Sequence, residues 1–455
     1  MEKKMSKHLL TLHSLGMIKP FAKIVRNLRA KIIKSVGYNT NLVPNQLTRI
    51  DMLTDSLMHF ILPQRNFFNS SSIESSYLNL EDTFKRYFGY KHVLPIAQGR
   101  MAEIILAKVM VTNGTVIPSN MLFVTTRVHQ ELSGATVLEM PVKEAYKFDS
   151  CFAFKGNMDT QMLERTIMEY GPCWIPYIYV ETCVNASGGH PVSMENIKEV
   201  SRIAKKYKIP LILDACRILE NAYLIKEREQ GYSHQSIRDI VKEFCSFSDG
   251  CTMSATKDFF VESGGFIATN NQELYYAAQD VMSVFGYGLS VRAKAILNDV
   301  MNTTFHREAW VKDRVEKVYH LWNKLKNFGL PVVNPSGGHA VFLDSRDLHK
   351  LLPAEYYPEK AFLAHLYVTS GIRAGENILT PYQKKCGTQM IRLAIPTRMY
   401  SLRQINYIAK SLRSAWEEKG KLGGLKKISQ PPSLSGSFFA KYELLSSRVV
   451  NKGCI

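Results

Sequence analysis

The residues best suited to chemistry lie in residues 251–260, just before the Gly264-Gly265 pair. Small and apolar residues there surround Lys257 in a Ser-x-x-Lys arrangement, which predicts a short strand, a turn and a return to the sheet. Burial lowers the pKa of a lysine and frees its amine as a nucleophile, and such an amine can hold an aldehyde cofactor as a Schiff base. The alternative for this stretch alone is an ordinary lysine on a surface turn.

Further polar residues are predicted at the ends of parallel strands. Apolar stretches at 173–183 and 210–214 flank a helical pattern at 194–207, so they predict a βαβ unit and a parallel sheet. In such sheets ligands bind beyond the carboxyl ends of the strands. The polar residues that fall there, together with the turn after a strand at 250–254, are Asn185, Asp214, Arg217, Ser254 and Lys257.

A glycine turn in front of a helix predicts an anion site. A short strand at 92–96 is followed by Gln98, Gly99 and Arg100 and then by a helical run at 101–111. The backbone N–H groups and the dipole of such a helix attract an anion, and an arginine can add a bidentate contact. The tripeptide alone is a weak signal.

The residues at the predicted strand ends suit one cofactor, pyridoxal 5′-phosphate. Lys257 can bond its aldehyde, and Asp214 can pair with its pyridinium nitrogen and so keep the ring electron-withdrawing. Asn185 and Arg217 can hydrogen-bond the 3-hydroxyl oxygen of the ring. Asp214 alone is equally explained as a cap at the end of a strand.

Three more groups complete this hypothetical site. Phe123, in a predicted strand at 119–125, can stack on the cofactor ring, although a core phenylalanine is the simpler interpretation. The phosphate can be held by Gln98, Gly99, Arg100 and Ser254. Arg392, in a predicted strand at 390–396, can clamp a substrate carboxylate, and its alternative is a surface ion pair.

Length and composition agree with a globular protein of two domains, or of one large α/β domain with a smaller one. The 455 residues are 45% hydrophobic and 22% charged, as in ordinary globular proteins. Eight cysteines show no paired spacing, which predicts free thiols, no structural zinc and a reducing, cytoplasmic location. No run of 18 apolar residues predicts a membrane span.

The basic balance is concentrated at the N-terminus. Residues 1–40 hold nine Lys and Arg residues against Glu2, which is +8 of the net charge of +18. The rest shows no nucleic-acid-binding motif, so an anionic small molecule is the favoured partner. Apolar residues between 21 and 32 share one helical face, which fits a membrane-surface helix, an organelle presequence or an arm packed on the protein or on a partner subunit.

The predicted elements divide the chain into four parts. Residues 1–36 are a basic arm, and residues 37–56 join a small domain. Residues 57–310 form a large cofactor-binding α/β domain with a mostly parallel sheet, and residues 311–455 form the smaller α+β domain. A helix is predicted at 271–285 and a longer helical tract from about 291 to 327.

Several strings resemble the tyrosine phenol-lyase and tryptophanase family, the β-eliminating lyases of the aspartate-aminotransferase fold (fold type I). The resemblance covers residues 37–439, and the phenol-lyase branch is the more similar. It rests on Gly37-Tyr-Asn-Thr40, Leu53-Thr-Asp-Ser56, Gln98-Gly-Arg100, Gly188-Gly-His-Pro-Val-Ser193, Glu220-Asn-Ala-Tyr223, Asp249-Gly-Cys-Thr-Met-Ser254, Gly337-Gly-His-Ala-Val-Phe342 and Arg392-Leu-Ala-Ile-Pro396. It implies pyridoxal phosphate, two domains per chain, and a homodimer or homotetramer with shared active sites.

The sequence departs from this family where the aromatic leaving group would bind. The departures are Ser71 for a catalytic tyrosine, Thr256 for a second lysine, Asn69 and Glu262 in a monovalent-cation site, Asn377 for a phenol-binding arginine, Val124 for a ring-contacting threonine, and a shortened segment near 286–288. Loss of one positioned acid costs about 10²–10⁴ in rate. We therefore expect poor activity on tyrosine and tryptophan.

The expected function is a pyridoxal-phosphate lyase acting at the β carbon of an amino acid, by elimination, replacement or carbon–carbon cleavage. A thiolate leaving group would need no tyrosine, so cysteine or an S-alkyl-cysteine is the first substrate to test. Two alternatives stay open: another reaction on the same fold, such as transamination or a biosynthetic condensation, and a catalytically decayed homologue.

Overall fold

The computed structural model describes residues 24–56, 80–259, 261–377, 383, 386–387, 389–397, 399–432 and 436–445. The strands in this part of the chain are β1 (Ile50–Asp51), β2 (His92–Ile96), β3 (Val116–Ser119), β4 (Thr136–Glu139), β5 (Ile178–Glu181), β6 (Leu211–Asp214), β7 (Gly250–Ser254), β8 (Gly265–Thr269), β9 (Ala340–Asp344), β10 (Ile372–Arg373), β11 (Gly375–Glu376), β12 (Met390–Ala394), β13 (Leu425–Ser429) and β14 (Lys441–Leu444).

Helices flank these strands. They are α1 (Arg26–Ser35), α2 (Leu80–Phe88), α3 (Gly99–Met110), α4 (Val124–Leu132), α5 (Thr160–Tyr170), α6 (Met194–Tyr207), α7 (Ile218–Arg228), α8 (Ile237–Ser246), α9 (Ala255–Asp258), α10 (Gln272–Phe285), α11 (Val291–Phe305), α12 (Ala309–Asn327), α13 (Arg346–Leu351), α14 (Pro358–Ser370), α15 (Leu402–Glu417) and α16 (Gly436–Phe439).

Among the described residues, the larger sheet has seven strands in the order β2-β8-β7-β6-β5-β3-β4. The five strands from β7 to β4 run parallel, and β8 is antiparallel to both of its neighbours. The predicted βαβ unit is therefore confirmed. Strands β5 and β6 are buried along their whole length because helices cover both faces, which explains why each is apolar up to the carboxyl residue that ends it.

The helix between β5 and β6 shows how sequence determines one layer. Ser193 caps α6 by accepting a hydrogen bond from the backbone N–H of Asn196, as its position predicts. Ile197 and Val200 are buried against the sheet, while Lys205 and Lys206 lie at the solvent-facing end. This packing fixes where β6 ends, and so it fixes the position of Asp214.

A second core forms around the small antiparallel sheet β11-β12-β9. Helices α12, α14 and α15 bury apolar side chains against each other there, among them Val318, Leu321, Phe362, Leu366, Ile408 and Leu412. The short strand β1 pairs in parallel with β10, and this pairing brings residues 50–56 beside this core. Residues 50–56 thereby approach the carboxyl edge of the larger sheet.

Helix α1 packs on α14. The Nε and Nη2 atoms of Arg29 donate hydrogen bonds to the carbonyl oxygens of Val368 and Thr369, at 2.9 and 3.0 Å. Arg29 and Ile33 are the buried positions, whereas Val25 and Leu28 of the predicted apolar face are exposed. No helix of the described ranges is long and apolar enough to cross a membrane.

Three predicted elements differ from the structure. The strand expected at 119–125 lies earlier, at β3, and Phe123 instead precedes α4. The strand expected at 173–183 is shorter, because Pro172–Trp174 forms a 3₁₀ turn before β5. The helical tract expected at 291–327 consists of two helices, α11 and α12.

Candidate active site

Lys257 lies on the four-residue helix α9, directly after β7. The chain then returns to the sheet as predicted, since the backbone N–H of Ala255 donates to the carbonyl of Gly264 at 3.0 Å. The Lys257 side chain is 24% exposed, and its Nζ lies 3.8 Å from Oδ1 of Asp55. Burial lowers the pKa of Lys257, the charges of Arg217 and Arg392 lower it further, and Asp55 opposes them. The amine is thus favoured as a nucleophile.

Asp55 is the central anion of the site. Its two oxygens accept hydrogen bonds from Nε and Nη2 of Arg217, at 3.1 and 3.2 Å. Burial acts to raise the pKa of Asp55, but the charges of Arg217 and Lys257 outweigh it and hold the pKa well below its usual range. The pKa of Arg217 is raised, because Asp55 outweighs the opposite effect of burial. Asp55 is therefore ionised and ties Arg217 to the lysine.

Asp214 ends β6 next to Glu181, which ends β5 in the same register. Oδ1 of Asp214 accepts the backbone N–H of Cys216 at 2.9 Å. Burial raises the pKa of Asp214, and burial together with the charge of Asp214 raises that of Glu181 to about 8. Two buried carboxyl groups at one sheet edge favour a positively charged group on a ligand, such as a protonated ring nitrogen.

Asn185 connects the two sheets. Its Oδ1 lies 2.9 Å from Nε2 of His339 and accepts a hydrogen bond from Nη1 of Arg392 at 3.3 Å. Nη2 of Arg392 donates to the carbonyl of Leu53 at 2.9 Å. The Nε atom of Arg392 is buried and has no hydrogen-bond partner among the described residues. A buried, unsatisfied N–H of arginine is suited to a carboxylate.

Gly99 and Ser254 form a tight cradle at the start of α3. A β-carbon at Gly99 would lie 2.5 Å from Cβ of Ser254, and one at Gly265 would lie 2.8 Å from the Gly99 nitrogen. Only glycines therefore permit this approach of the α3 N-terminus to β7 and β8. First-turn N–H groups and the Ser254 hydroxyl fit a phosphate group. Gln98 precedes the helix and Arg100 is exposed on its first turn.

Phe123 lies beside the carboxyl pair. It is half-buried just before α4, and its backbone N–H donates to Oε2 of Glu181 at 2.6 Å. Glu181 is bound in turn by the N–H of Asn185, at 3.2 Å from Oε1. The Phe123 backbone therefore lies at the same sheet edge as Asp214, although its strand was predicted wrongly.

Three residues of this site were not predicted from the sequence as site residues. Asp55 and His339 come from outside the larger sheet, and each lies within a string quoted for its resemblance alone. Glu181 ends a predicted strand, a position that singled out Asp214 and would equally have indicated Glu181. Each of the three residues lies in a motif or at a strand end visible in the sequence, but which motifs come together in space depends on long-range packing.

None of the described positions named below, which depart from the family pattern, has a positively charged side chain. Thr256 is buried, and its hydroxyl lies 3.0 Å from that of Ser254. Asn377 is 6% exposed, and its Nδ2 donates to the carbonyl of Asn185 at 3.2 Å. Val124 is half-buried at the start of α4, and Glu262 is exposed. Ser71 and Asn69 lie outside the described residues.

Sequence comparison matches the chain to a known family. The model of the family described as Beta-eliminating lyase matches residues 71–411. A tyrosine phenol-lyase of Nostoc punctiforme is 35% identical, covering 95% of this chain and 96% of its own. A tyrosine phenol-lyase of Symbiobacterium thermophilum is 36% identical over 95% and 98% of the two chains. A probable beta-eliminating lyase of Trichomonas vaginalis is 34% identical over 94% and 97%.

Solved structures share the fold. A serine palmitoyltransferase from S. paucimobilis superposes with a TM-score of 0.58 at 13% identity, over 82% of this chain and 88% of that one. An aspartate aminotransferase of Thermus thermophilus gives a TM-score of 0.55 at 15% identity, over 86% and 95%. The predicted fold class, an α/β aspartate-aminotransferase-like fold of type I, is confirmed.

Proposed function

The chain belongs to the β-eliminating lyase family, and on that premise we propose that it breaks a bond at the β carbon of an amino acid other than tyrosine or tryptophan. Family membership confirms the predictions of a lyase and of pyridoxal phosphate as its cofactor. One observation carries the proposal: Lys257, Asn185 and Arg392, from three separate segments, meet around the Asp55–Arg217 pair.

The residues present fit the cofactor at three points. Lys257 offers an amine of lowered pKa, Asp214 offers a buried carboxyl group, and Gly99 with Ser254 offers a cradle for phosphate. When bound, pyridoxal phosphate supplies an electron-withdrawing ring that stabilises negative charge at the α carbon of the substrate. Asp214 holds the proton of the ring nitrogen in place, and Phe123 orients the ring from the neighbouring loop.

Asn185 and Arg392 bind and orient the substrate in this proposal. The free Nε of Arg392 faces no protein acceptor among the described residues, so it is available to a substrate carboxylate. Arg392 is itself held by Asn185 and by the Leu53 carbonyl, which limits its movement. Lys257 Nζ then takes the proton from the α carbon, a transfer that its lowered pKa favours.

The leaving-group side indicates a change of substrate. At the place of the family's phenol-binding arginine, Asn377 donates its amide N–H to the Asn185 carbonyl and carries no charge. A phenol or indole would have to leave without that cation and, with Ser71 in place of the tyrosine, without its acid. A thiol departs as a stable anion without such help. We therefore propose cysteine or an S-alkyl-cysteine as the substrate class, which makes the reaction a carbon–sulfur cleavage.

A substrate panel tests this proposal. Purified protein saturated with pyridoxal phosphate is given L-cysteine, S-methyl-L-cysteine, L-tyrosine and L-tryptophan, and pyruvate release is measured. We expect release from the sulfur substrates at a rate about 10²-fold or more above that from the aromatic ones. The Lys257→Ala variant is the matched control and should release none. Rapid phenol or indole release would contradict the proposal, and accumulation of pyridoxamine phosphate would replace it with transamination.

The proposal extends to domains, assembly and location. We propose residues 57–310 as the cofactor-binding domain, because β2 to β8 all lie within it, and residues 311–455 as the smaller one, because most of the second core lies there. Residues 1–36 remain a basic arm and residues 37–56 join the small domain. We propose a homodimer or homotetramer in the cytoplasm. Sedimentation of the purified protein at monomer mass would contradict the assembly.

A further inference from the structure

Arg314 is the central cation of a buried ionic cluster behind the candidate active site. It lies on α12 and is 1% exposed. A single nitrogen, Nη2, contacts two carboxylates: Oδ1 of Asp258 at 2.9 Å, and Oε1 of Glu220. Both carboxylates are fully buried. Charges that share one buried atom hold each other in place, because removal of one partner leaves the others unpaired in a medium that solvates them poorly.

One arm of this cluster leads to Lys257. Asp258 is the next residue on α9, and its second oxygen accepts the backbone N–H of Leu219 at 2.8 Å. Asp258 therefore holds the lysine turn against both α7 and α12. Because both of its oxygens accept hydrogen bonds, an asparagine at this position could satisfy only one of the two donors.

The other arm leads to the substrate-binding side. Oε2 of Glu220 lies 3.3 Å from Nδ1 of His339, whose Nε2 lies 2.9 Å from Oδ1 of Asn185. Arg392 binds that same Oδ1. Burial and the surrounding arginines lower the pKa of His339 well below its usual value, so the ring is neutral and carries one N–H. With that N–H on Nε2 towards Asn185, Nδ1 touches Glu220 without a hydrogen bond, so Glu220 positions the ring by contact. Glu220 thus contacts His339, and His339 contacts the Asn185 oxygen that orients Arg392.

We propose that Arg314 is a positioning residue that sets two parts of the site separately, the lysine turn through Asp258 and the Asn185–Arg392 pair through Glu220. This inference rests on the proposed function for the roles of Lys257 and Arg392. Within the described part of the chain, Arg314 forms no hydrogen bond or ion pair with either residue, and it acts through the two carboxylates. Since one nitrogen serves both, a lysine can replace Arg314 in part, whereas a methionine cannot.

The test separates the two arms with matched variants. Asp258→Asn loosens the first arm, Glu220→Gln loosens the second, and Arg314→Met and Arg314→Lys act on both. Lys312→Met is the control, because Lys312 lies on the same helix in an exposed ion pair with Glu316. Two affinities are measured: that of the apoprotein for pyridoxal phosphate, and that of the loaded protein for L-alanine, an amino acid without a β leaving group, from the shift of the cofactor absorption band.

The proposal predicts a divided result. Asp258→Asn should weaken pyridoxal phosphate binding about tenfold and change L-alanine binding less than about twofold, because one hydrogen bond to a charged group is lost on the first arm alone. Glu220→Gln should do the reverse. Arg314→Met should weaken both, Arg314→Lys should recover part of each loss, and Lys312→Met should change neither. Equal losses in both affinities for both carboxylate variants, or no loss in either, would overturn the proposal.

A third measurement keeps the test independent of the cofactor. Lys257 in the apoprotein is labelled with acetic anhydride, and the rate of labelling is read by peptide mass spectrometry. That rate should change about tenfold in Asp258→Asn and should not change in Glu220→Gln or Lys312→Met. If the wild-type protein binds no pyridoxal phosphate, the proposed function fails while this labelling still decides the positioning role. If Arg314→Met does not fold, the two carboxylate variants decide it alone. Unchanged labelling of Lys257 in Asp258→Asn overturns the first arm.

Discussion

Replacement of Asp55 by asparagine is the most informative single perturbation of the site. Asp55 is 1% exposed, binds Arg217 through both oxygens and lies 3.8 Å from Lys257. Asparagine keeps the shape but removes the charge, so a buried guanidinium loses its counter-ion. Such a loss costs about 3–5 kcal/mol of unfolding free energy. The control Asp344→Asn breaks an ion pair whose Arg346 side chain is 55% exposed, and pairs open to solvent on one side are worth about 0–1 kcal/mol.

The effect should depend on pH in a fixed direction. The pKa of Asp55 is held well below its usual value in the folded protein, so its stabilising contribution is present above the pKa of the unfolded chain. That contribution disappears as pH falls through the folded-state pKa. The difference in stability between wild type and Asp55→Asn should therefore be full at pH 7 and shrink on acidification below about pH 4.

Asp55→Asn should also alter the lysine. Asp55 raises the pKa of Lys257, so its removal lowers that pKa further and moves the pH dependence of cofactor attachment towards lower pH. The assays are urea unfolding of the apoprotein from pH 3 to 8 and the absorption of bound pyridoxal phosphate over the same range. The account of the site is refuted if Asp55→Asn loses no more stability than Asp344→Asn and leaves the attachment profile unmoved.

Three further outcomes follow from the geometry. Gly99→Ala places a β-carbon 2.5 Å from Cβ of Ser254, so it should weaken pyridoxal phosphate binding about tenfold or more in a titration of the apoprotein. The control Gly420→Ala, where the added β-carbon meets no atom within 4 Å, should leave that affinity unchanged. Arg392→Lys loses the planar fork and should raise KM for the amino acid about tenfold or more with cofactor affinity unchanged; equal loss of both would count against its carboxylate role. Because the pKa of Glu181 in the folded protein is raised to about 8, ionisation of Glu181 opposes folding, and the stability of the apoprotein should fall as pH rises from 5 to 8. Glu181→Gln should flatten that fall, measured by urea unfolding, and an unchanged dependence of stability on pH would argue against the carboxyl pair.

Apolar patterning and helix caps predicted the α/β framework well. The stretches at 92–96 and 250–254 are strands with the predicted bounds, and Ser193 caps its helix, because burial on both sheet faces and cap chemistry act locally. The stretch at 119–125 misled because Phe123 is apolar yet half-buried before α4, where its N–H binds Glu181. Local pattern does not distinguish a strand residue from an apolar residue in a turn.

The candidate site was predicted residue by residue but without its central anion. The predicted positions Lys257, Asn185, Arg217 and Arg392 do meet. Asp55 was missed because it reaches the site only through the pairing of β1 with β10, a long-range contact that no local pattern records. The family, the fold class, the lyase class and the cofactor are confirmed, while the domain bounds and the role of each site residue stay predictions.

The central claim is that Lys257 holds pyridoxal phosphate at this edge of the sheet. The most direct measurement is borohydride reduction of the loaded protein, followed by digestion and mass spectrometry of the labelled peptide. The account predicts loss of the visible absorption band and one pyridoxyl group, on Lys257, with no label in Lys257→Ala. A label on another lysine, or an absorption band that Lys257→Ala retains unchanged, would contradict it.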